Sequence, residues 1–244
     1  MTWRHFLIAL QFLTRLPTPR VAVSAADDLS RASAFFPVVG LLIGVAIAGA
    51  QMGGGFISAA IGGLAGLLAW VAITGGLHLD GLGDVTDALG ASHSKPERFI
   101  EVLGDPNAGN FAVIAISLQL ATKLVLLASL PVTATVVAAL ILIPAWARWA
   151  AVCWGWRLPS LNPGLGRDFS ALLSPAMIAA WGVALVAMSI WLAPVTIVAL
   201  PVALLIGLYW RRRLGGITGD CLGAGIEVME SVLLLALLAA TVAR

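Results

Sequence analysis

Residues 111–130 read FAVIAISLQLATKLVLLASL, and residues 132–154 read VTATVVAALILIPAWARWAAVCW. Each run is long enough to cross a bilayer as a helix, for which about 20 mostly apolar residues suffice. Each carries a single charge, Lys123 in the first and Arg148 in the second, and Pro131 separates them. Two adjacent runs of this kind predict a membrane hairpin, and the rest of the chain repeats the theme. Segments 35–53, 56–77, 175–193, 194–210 and 226–243 are also apolar at spanning length or close to it. The split at Pro194 and the short last segment leave the count at six or seven spans. The fold class that follows is all-α, a polytopic transmembrane helical bundle.

Composition agrees. Of 244 residues 60% are hydrophobic and 11% charged, and the mean hydropathy is +1.01. A water-soluble surface needs roughly 25% charged residues, so a soluble domain is excluded. A net charge of +2 gives no electrostatic case for nucleic acid. Cys153 and Cys221 form neither a CxxC pair nor a disulfide framework, and are expected as small packing residues. Met1 to Thr14 resembles a signal peptide only superficially. Its apolar run is short and leads to Arg15 and Pro17 without a cleavage site, so an amphipathic helix in the interface is expected. No internal repeat or low-complexity tract is visible, and residues 1–244 read as a single integral membrane catalytic domain.

Charge is distributed unevenly. Segments 1–34, 78–110, 155–174 and 211–230 hold all twelve acids and eleven of the fourteen bases, whereas the connections near Gly53–Gly55, Pro131 and Pro194 hold none. Helical hairpins that return to one face would gather these charges together. Because Lys and Arg collect on the cytoplasmic side, that face is expected to be cytoplasmic. Gly40–Gly44 and Gly62–Gly66 are GxxxG pairs, a spacing that lets helix backbones approach.

The most informative stretch is Gly75 to Leu89, GGLHLDGLGDVTDAL. Asp80, Asp84 and Asp87 fall at i, i+4 and i+7, on one face of a helix. Three like charges at that spacing repel, and no base lies between Arg31 and Lys95. A hard divalent cation relieves the repulsion, and Mg²⁺ binds through one or two carboxylates plus substrate phosphates. The plain alternative is a solvated acidic helix start. Gly81 and Gly83 argue against it, because they weaken a helix and imply close approach by another group.

Further candidates lie nearby. Asp105 sits at a helix break before Pro106, and Glu97 with Glu101 reads as an ordinary exposed face. After Arg211–Arg213, a membrane anchor, the stretch LGGITGDCLG (214–223) offers backbone N–H groups to an anion through Gly216 and Gly219, with Asp220 able to complete a metal site. Glu227 and Glu230 open the last span and need partners or a metal there. Lys123 lies inside a span and needs a carboxylate or phosphate, and Arg148 could reach the charged face. His78 is expected to support the site or pack beside it. No nucleophile motif, Walker loop or dinucleotide fingerprint is present. Carboxylates, glycines and arginines on one membrane face suit metal-assisted displacement at phosphorus.

In FLTRLP (12–17), FPVVG (36–40), HLDGLGDVTD (78–87) and LGGITGDCLGA (214–224), followed by Glu227, the chain resembles the cobalamin synthase family of adenosylcobinamide-GDP ribazoletransferases. The resemblance implies Mg²⁺-dependent transfer of phosphocobinamide from adenosylcobinamide-GDP to α-ribazole or its 5′-phosphate, with release of GMP. It implies a multi-pass protein of the bacterial inner membrane, in contact with lipid, and leaves open a homo-oligomer or a complex with other enzymes of the pathway. On this reading Asp80, Asp84, Asp87, Asp105 and Asp220 hold Mg²⁺, and Asp84 or Asp87 takes the ribazole proton, with Asp87 the first choice. Arg15, Lys123, Arg148, Gly216, Gly219 and Glu227 contact substrate. Two positions depart from the family pattern: Asn107 stands where a base is usual, and Ala88 where glycine is. The residues alone leave two alternatives open, a phosphotransferase of the CDP-alcohol type and a cation transporter.

Overall fold

Caps written into the sequence set the helix ends in the computed structural model, which describes residues 2–23, 27–92, 96–103, 107–161 and 173–243. The elements are α1 (Trp3–Leu13), α2 (Asp28–Ala32), α3 (Phe36–Gly55), α4 (Ala59–Thr74), α5 (Leu77–Ser92), α6 (Pro96–Leu103), α7 (Asn110–Ser129), α8 (Ala134–Arg157), α9 (Pro175–Leu192), α10 (Ala199–Leu214) and α11 (Gly219–Val242). A 3₁₀ turn joins α2 to α3, and another over Pro194–Val198 joins α9 to α10. The hydroxyls of Ser58, Thr133, Ser174 and Thr218 each accept a backbone N–H three residues on. They satisfy donors that a helix start otherwise leaves open. Among the described residues no strand forms, and one isolated bridge pairs Ser160 with Ile217.

Six helical stretches are long and apolar enough to cross a membrane: Asp28–Gly55, Asn110–Ser129, Ala134–Arg157, Pro175–Leu192, Pro194–Leu214 and Gly219–Val242. The break at Pro194 separates two of them, as the sequence suggests. A seventh crossing comes from α4 if it is counted with α5, which bends away from it by 84°. Gly75 and Gly76 make that elbow, at φ +63° and +71°, a left-handed conformation that residues with a Cβ seldom adopt. With three aspartates and this bend, α5 runs beside the charged loops and is not read as a crossing.

Burial sorts the spans into two groups. The stretches Asp28–Gly55, Ala134–Arg157 and Gly219–Val242 are 61–72% buried and form the centre, whereas α7, α9 and the stretch containing α10 are 22% buried. The outer group shows Leu118, Val125, Val183, Trp191 and Leu205 on the surface, as helices facing hydrocarbon should. Glycine permits the closest central contact. A Cβ on Gly40 would stand 2.5 Å from Ala145 Cα, and one on Gly44 2.5 Å from Ile141 Cα. This GxxxG stripe therefore lets α3 lie directly on the α8 backbone.

The two ends of the bundle differ in charge. At one end the α3–α4 turn meets the α7–α8 turn, where a Cβ on Gly55 would stand 3.6 Å from Val132; neither turn is charged. At the other end Arg15 N–H donates to the Ile73 carbonyl at 2.7 Å, and Ile217 N–H to that of Pro159 at 2.9 Å. Arg4 pairs with Asp28 across α1 and α2, with Nη2–Oδ2 at 2.7 Å. These ties draw the charged N-terminal segment, the α4–α5 elbow and the loops flanking α8 and α11 together.

Candidate active site

The acidic helix α5 is held where it is by glycines that face other helices of the same protein. A Cβ on Gly81 would lie 3.0 Å from the Asp220 Cα and carbonyl oxygen, and one on Gly83 would lie 3.0 Å from Ile116. On α11, Gly223 comes similarly close to the His78 backbone. The close approach that the glycines signalled is thus a crossing of α5 with α11 and α7, not contact with a ligand. Its consequence is chemical, since it sets Asp220 beside the Asp80–Asp84 row.

The carboxylates divide into different duties. Asp80 is exposed, and Asp84, Asp87 and Asp220 are half-buried. Asp87 accepts backbone N–H bonds from Gly109 to Oδ2 at 2.6 Å and from Ala112 to Oδ1 at 3.0 Å. Both of its oxygens therefore hold the start of α7. Asp84 has no such anchor. Burial first, and then the charges of Asp80, Asp220 and Asp87, push its carboxyl up to about 6. That crowding is what a bound cation would relieve.

Two small cavities flank the row. One of about 310 Å³ is lined by Asp84, Asp87, Asn107 and Phe111 among others. The other, of about 180 Å³, includes Phe12, Phe36, His78, Asp80, Gly219 and Asp220 in its walls. Segments far apart in sequence (12–13, 36, 77–81 and 219–226) meet in this second cavity. The two contain all four aspartates and, among the described residues, no lysine or arginine. Hard oxygen donors with no base among them suit Mg²⁺. Among the described residues no three His, Cys, Asp or Glu side chains converge as a preformed metal cage. An ion that takes part of its coordination from substrate phosphate does not require one.

The other candidate residues take varied places. The Arg15 side chain lies over the elbow, so a Cβ on Gly75 would stand 2.4 Å from its Cγ, and its exposed guanidinium stands at the charged end. Gly216 is buried against the Pro159 carbonyl, 2.4 Å from where its Cβ would be, and Ile217 N–H is spent on Pro159. That half of the glycine-rich turn binds the protein's own backbone. Gly219, the first residue of α11, faces open space and leaves a helix N-terminus available to an anion. Asp105 lies outside the described residues.

Lys123, Arg148 and Glu227 are not at the charged face. All three are buried with Glu230. Lys123 Nζ lies 2.7 Å from Glu227 Oε2 and 2.6 Å from Glu230 Oε2, and 4.1 Å from the centroid of Trp70. Arg148 bonds the other oxygen of Glu230. It also reaches His78 Nδ1 at 3.2 Å. Gln119 donates to Glu227 Oε2 at 2.8 Å. Two bases and two acids neutralise each other. The expectation that Arg148 reaches the charged face gives way to this geometry, because α11 begins at Gly219. That places Glu227 and Glu230 about 12 and 17 Å into the helix at 1.5 Å per residue, not at its mouth.

Comparison with known proteins gives the family. The family model for cobalamin-5-phosphate synthase matches residues 5–238. A protein of Thiobacillus denitrificans named adenosylcobinamide-GDP ribazoletransferase is 50% identical over 95% of this chain and 94% of its own length. Proteins of the same name from Novosphingobium aromaticivorans and Laribacter hongkongensis are each 47% identical, over 95% and 98% of this chain and equal shares of their own lengths. The chain belongs to the cobalamin-5-phosphate synthase family. It is a multi-pass membrane enzyme of cobalamin synthesis. No solved structure matches it.

Family membership gives the two departures a structural meaning. Ala88 is fully buried, so its methyl group faces the protein interior. Asn107, a neutral amide where the resemblance leads one to expect a base, lines the cavity of Asp84 and Asp87. Sequence reasoning undervalued His78, Phe12 and Phe36, which line the second cavity. Their signal was their membership of the separated motifs.

Proposed function

We propose that this enzyme transfers the phosphocobinamide group of adenosylcobinamide-GDP to α-ribazole or its 5′-phosphate, releasing GMP, with Mg²⁺ as its metal. The observation that carries the reading is the crowding of Asp84 by the charges of Asp80 and Asp220 at the α5–α11 crossing, with no base among the described residues that line their cavities. The name carried by relatives at 47–50% identity selects the substrates. In the reaction a ribazole hydroxyl oxygen bonds to the phosphorus that carries cobinamide. The bond from that phosphorus to the bridging oxygen breaks, GMP leaves with that oxygen, and the hydroxyl proton is lost.

Asp80, Asp84 and Asp220 would hold the ion. Bound Mg²⁺ supplies positive charge against the pyrophosphate and the departing GMP. Asp84 is assigned as the catalytic carboxylate in preference to Asp87, whose oxygens already hold Gly109 and Ala112. Arg15, at the elbow, and the α11 N-terminus at Gly219 are assigned to the phosphates. Orientation follows the positive-inside rule, with the charged end in the cytoplasm of a bacterial cell and the spans in its inner membrane.

The test is GMP release by detergent-purified protein from adenosylcobinamide-GDP and α-ribazole, with and without Mg²⁺. Release that needs Mg²⁺ and disappears in Asp84→Ala is expected. Folded wild-type protein that releases no GMP would refute the assignment.

A further inference from the structure

His78 opens α5 and is 4% exposed. Its Nδ1 lies 3.2 Å from Arg148 Nη2. A guanidinium can only donate, so Nδ1 accepts and the ring proton resides on Nε2. Arg148 has no freedom to release the ring, being buried itself and bonded to Glu230 and to the Pro144 carbonyl. The buried charge network thus fixes both the tautomer and the orientation of one imidazole, in the way an outer partner orients a working histidine.

Among the described residues no hydrogen bond reaches the remaining donor. Nε2 is not one of the buried polar atoms left without a partner, so it opens onto accessible space, where a ligand can take its hydrogen bond. His78 forms part of the wall of the 180 Å³ cavity, together with Asp80, Asp220 and Gly219. Aspartates there would be natural acceptors, yet none is bonded to it. The same wall carries Gly219, at the start of the 24-residue α11, whose Thr218 cap takes the Cys221 N–H and leaves the first turn facing the cavity, a second element suited to an anion.

We propose that His78 is a substrate-binding residue that donates from Nε2 to a phosphate oxygen of the diphosphate substrate, with Arg148 as the positioning residue that holds it in this form. The proposal rests on the reaction assigned above for the identity of the diphosphate, but its chemistry requires only a diphosphate. It also explains why a membrane-buried charge network touches the acidic helix at this one point. The network is a rigid back wall that transmits position from α7, α8 and α11 to the ring.

Two measurements on the detergent-purified protein test it. In the first, glutamine, whose amide nitrogen can stand in for Nε2, and phenylalanine, which keeps the bulk without the donor, replace His78. His78→Gln is expected to keep kcat/KM within about tenfold of wild type, and His78→Phe to lose about 100-fold, the worth of a hydrogen bond to a charged group. Equal losses in both variants, or wild-type kinetics in His78→Phe, would overturn the donor role. The second is ¹⁵N NMR of protein labelled at its three histidines, with His78→Gln identifying the signal. It should show Nε2 protonated and shifting on addition of inorganic pyrophosphate with Mg²⁺. A proton on Nδ1, or no shift at saturating pyrophosphate, would refute the proposal whatever the fate of the variants. If wild-type protein releases no GMP yet pyrophosphate moves the His78 signal, the reaction assignment fails and the phosphate contact stands.

Discussion

The enzyme holds two clusters of charge that look alike in sequence and differ in kind. In the first, Asp80, Asp84, Asp87 and Asp220 stand at the charged end with no base in the cavities they line. In the second, Lys123, Arg148, Glu227 and Glu230 lie buried among the spans with every charge answered by another. Burial of a charge in a membrane interior is tolerated only with a partner, and the second cluster supplies its own. In the first, Asp87 is held by the backbone of Gly109 and Ala112, and among the described residues no lysine or arginine bonds the other carboxylates, which remain available to a ligand. On the proposed reading, the difference separates the carboxylates offered to metal and substrate from the residues that hold them in place.

The largest effect should come from the open cluster. Asp84→Asn is expected to lower kcat by about 10³-fold or more, the scale on which charge stabilisation acts in a transition state, while the melting temperature stays within a few degrees or rises. A variant that keeps its activity would dissolve the distinction. In the closed cluster the order reverses, with stability lost first. Lys123→Met leaves Glu227 and Glu230 short of a partner, and breaking a buried pair costs about 3–5 kcal/mol. Adding Glu227→Gln removes the orphaned charge and should recover much of that loss, read by denaturant or thermal unfolding in detergent.

Smaller effects sharpen the same contrast at the helix crossing. Gly81→Ala places a methyl group 3.0 Å from the Asp220 backbone and should cost about 1–3 kcal/mol as an overpacked contact, with a matching fall in activity as Asp220 is displaced. Asp87→Ala removes the acceptor for two backbone N–H groups of α7. It should lower stability by about 1–2 kcal/mol, as loss of a helix cap does, measured by thermal unfolding. If Asp87→Ala abolishes turnover without destabilising the protein, Asp87 belongs with the reacting carboxylates after all.

Much of this arrangement was legible because hydropathy and charge act locally. Runs such as 111–130 and 132–154 declare spans wherever they occur, and the i, i+4, i+7 spacing declares a shared helix face before any partner is known. The destination of an approach was not legible. Gly81 announced that something comes close, but only the fold identifies it as the α11 backbone at Asp220. Glu227 looked like the mouth of the last span because Gly219, Gly223 and Gly225 dilute hydropathy just before it. The helix nevertheless starts at Gly219, since Thr218 caps it and glycine is needed where α11 meets α5. Arg148 and Lys123 carried the signal of needing an acid, and the sequence held acids enough for several pairings.

The most direct test of the distinction is metal binding itself. Mn²⁺, used as a paramagnetic stand-in for Mg²⁺, can be titrated into detergent-purified protein with GDP present and its bound fraction read by electron paramagnetic resonance. The account predicts binding that is lost in Asp80→Asn and Asp84→Asn and retained in Glu227→Gln. Undiminished binding in Asp84→Asn, or its loss in a folded Glu227→Gln protein, would contradict it.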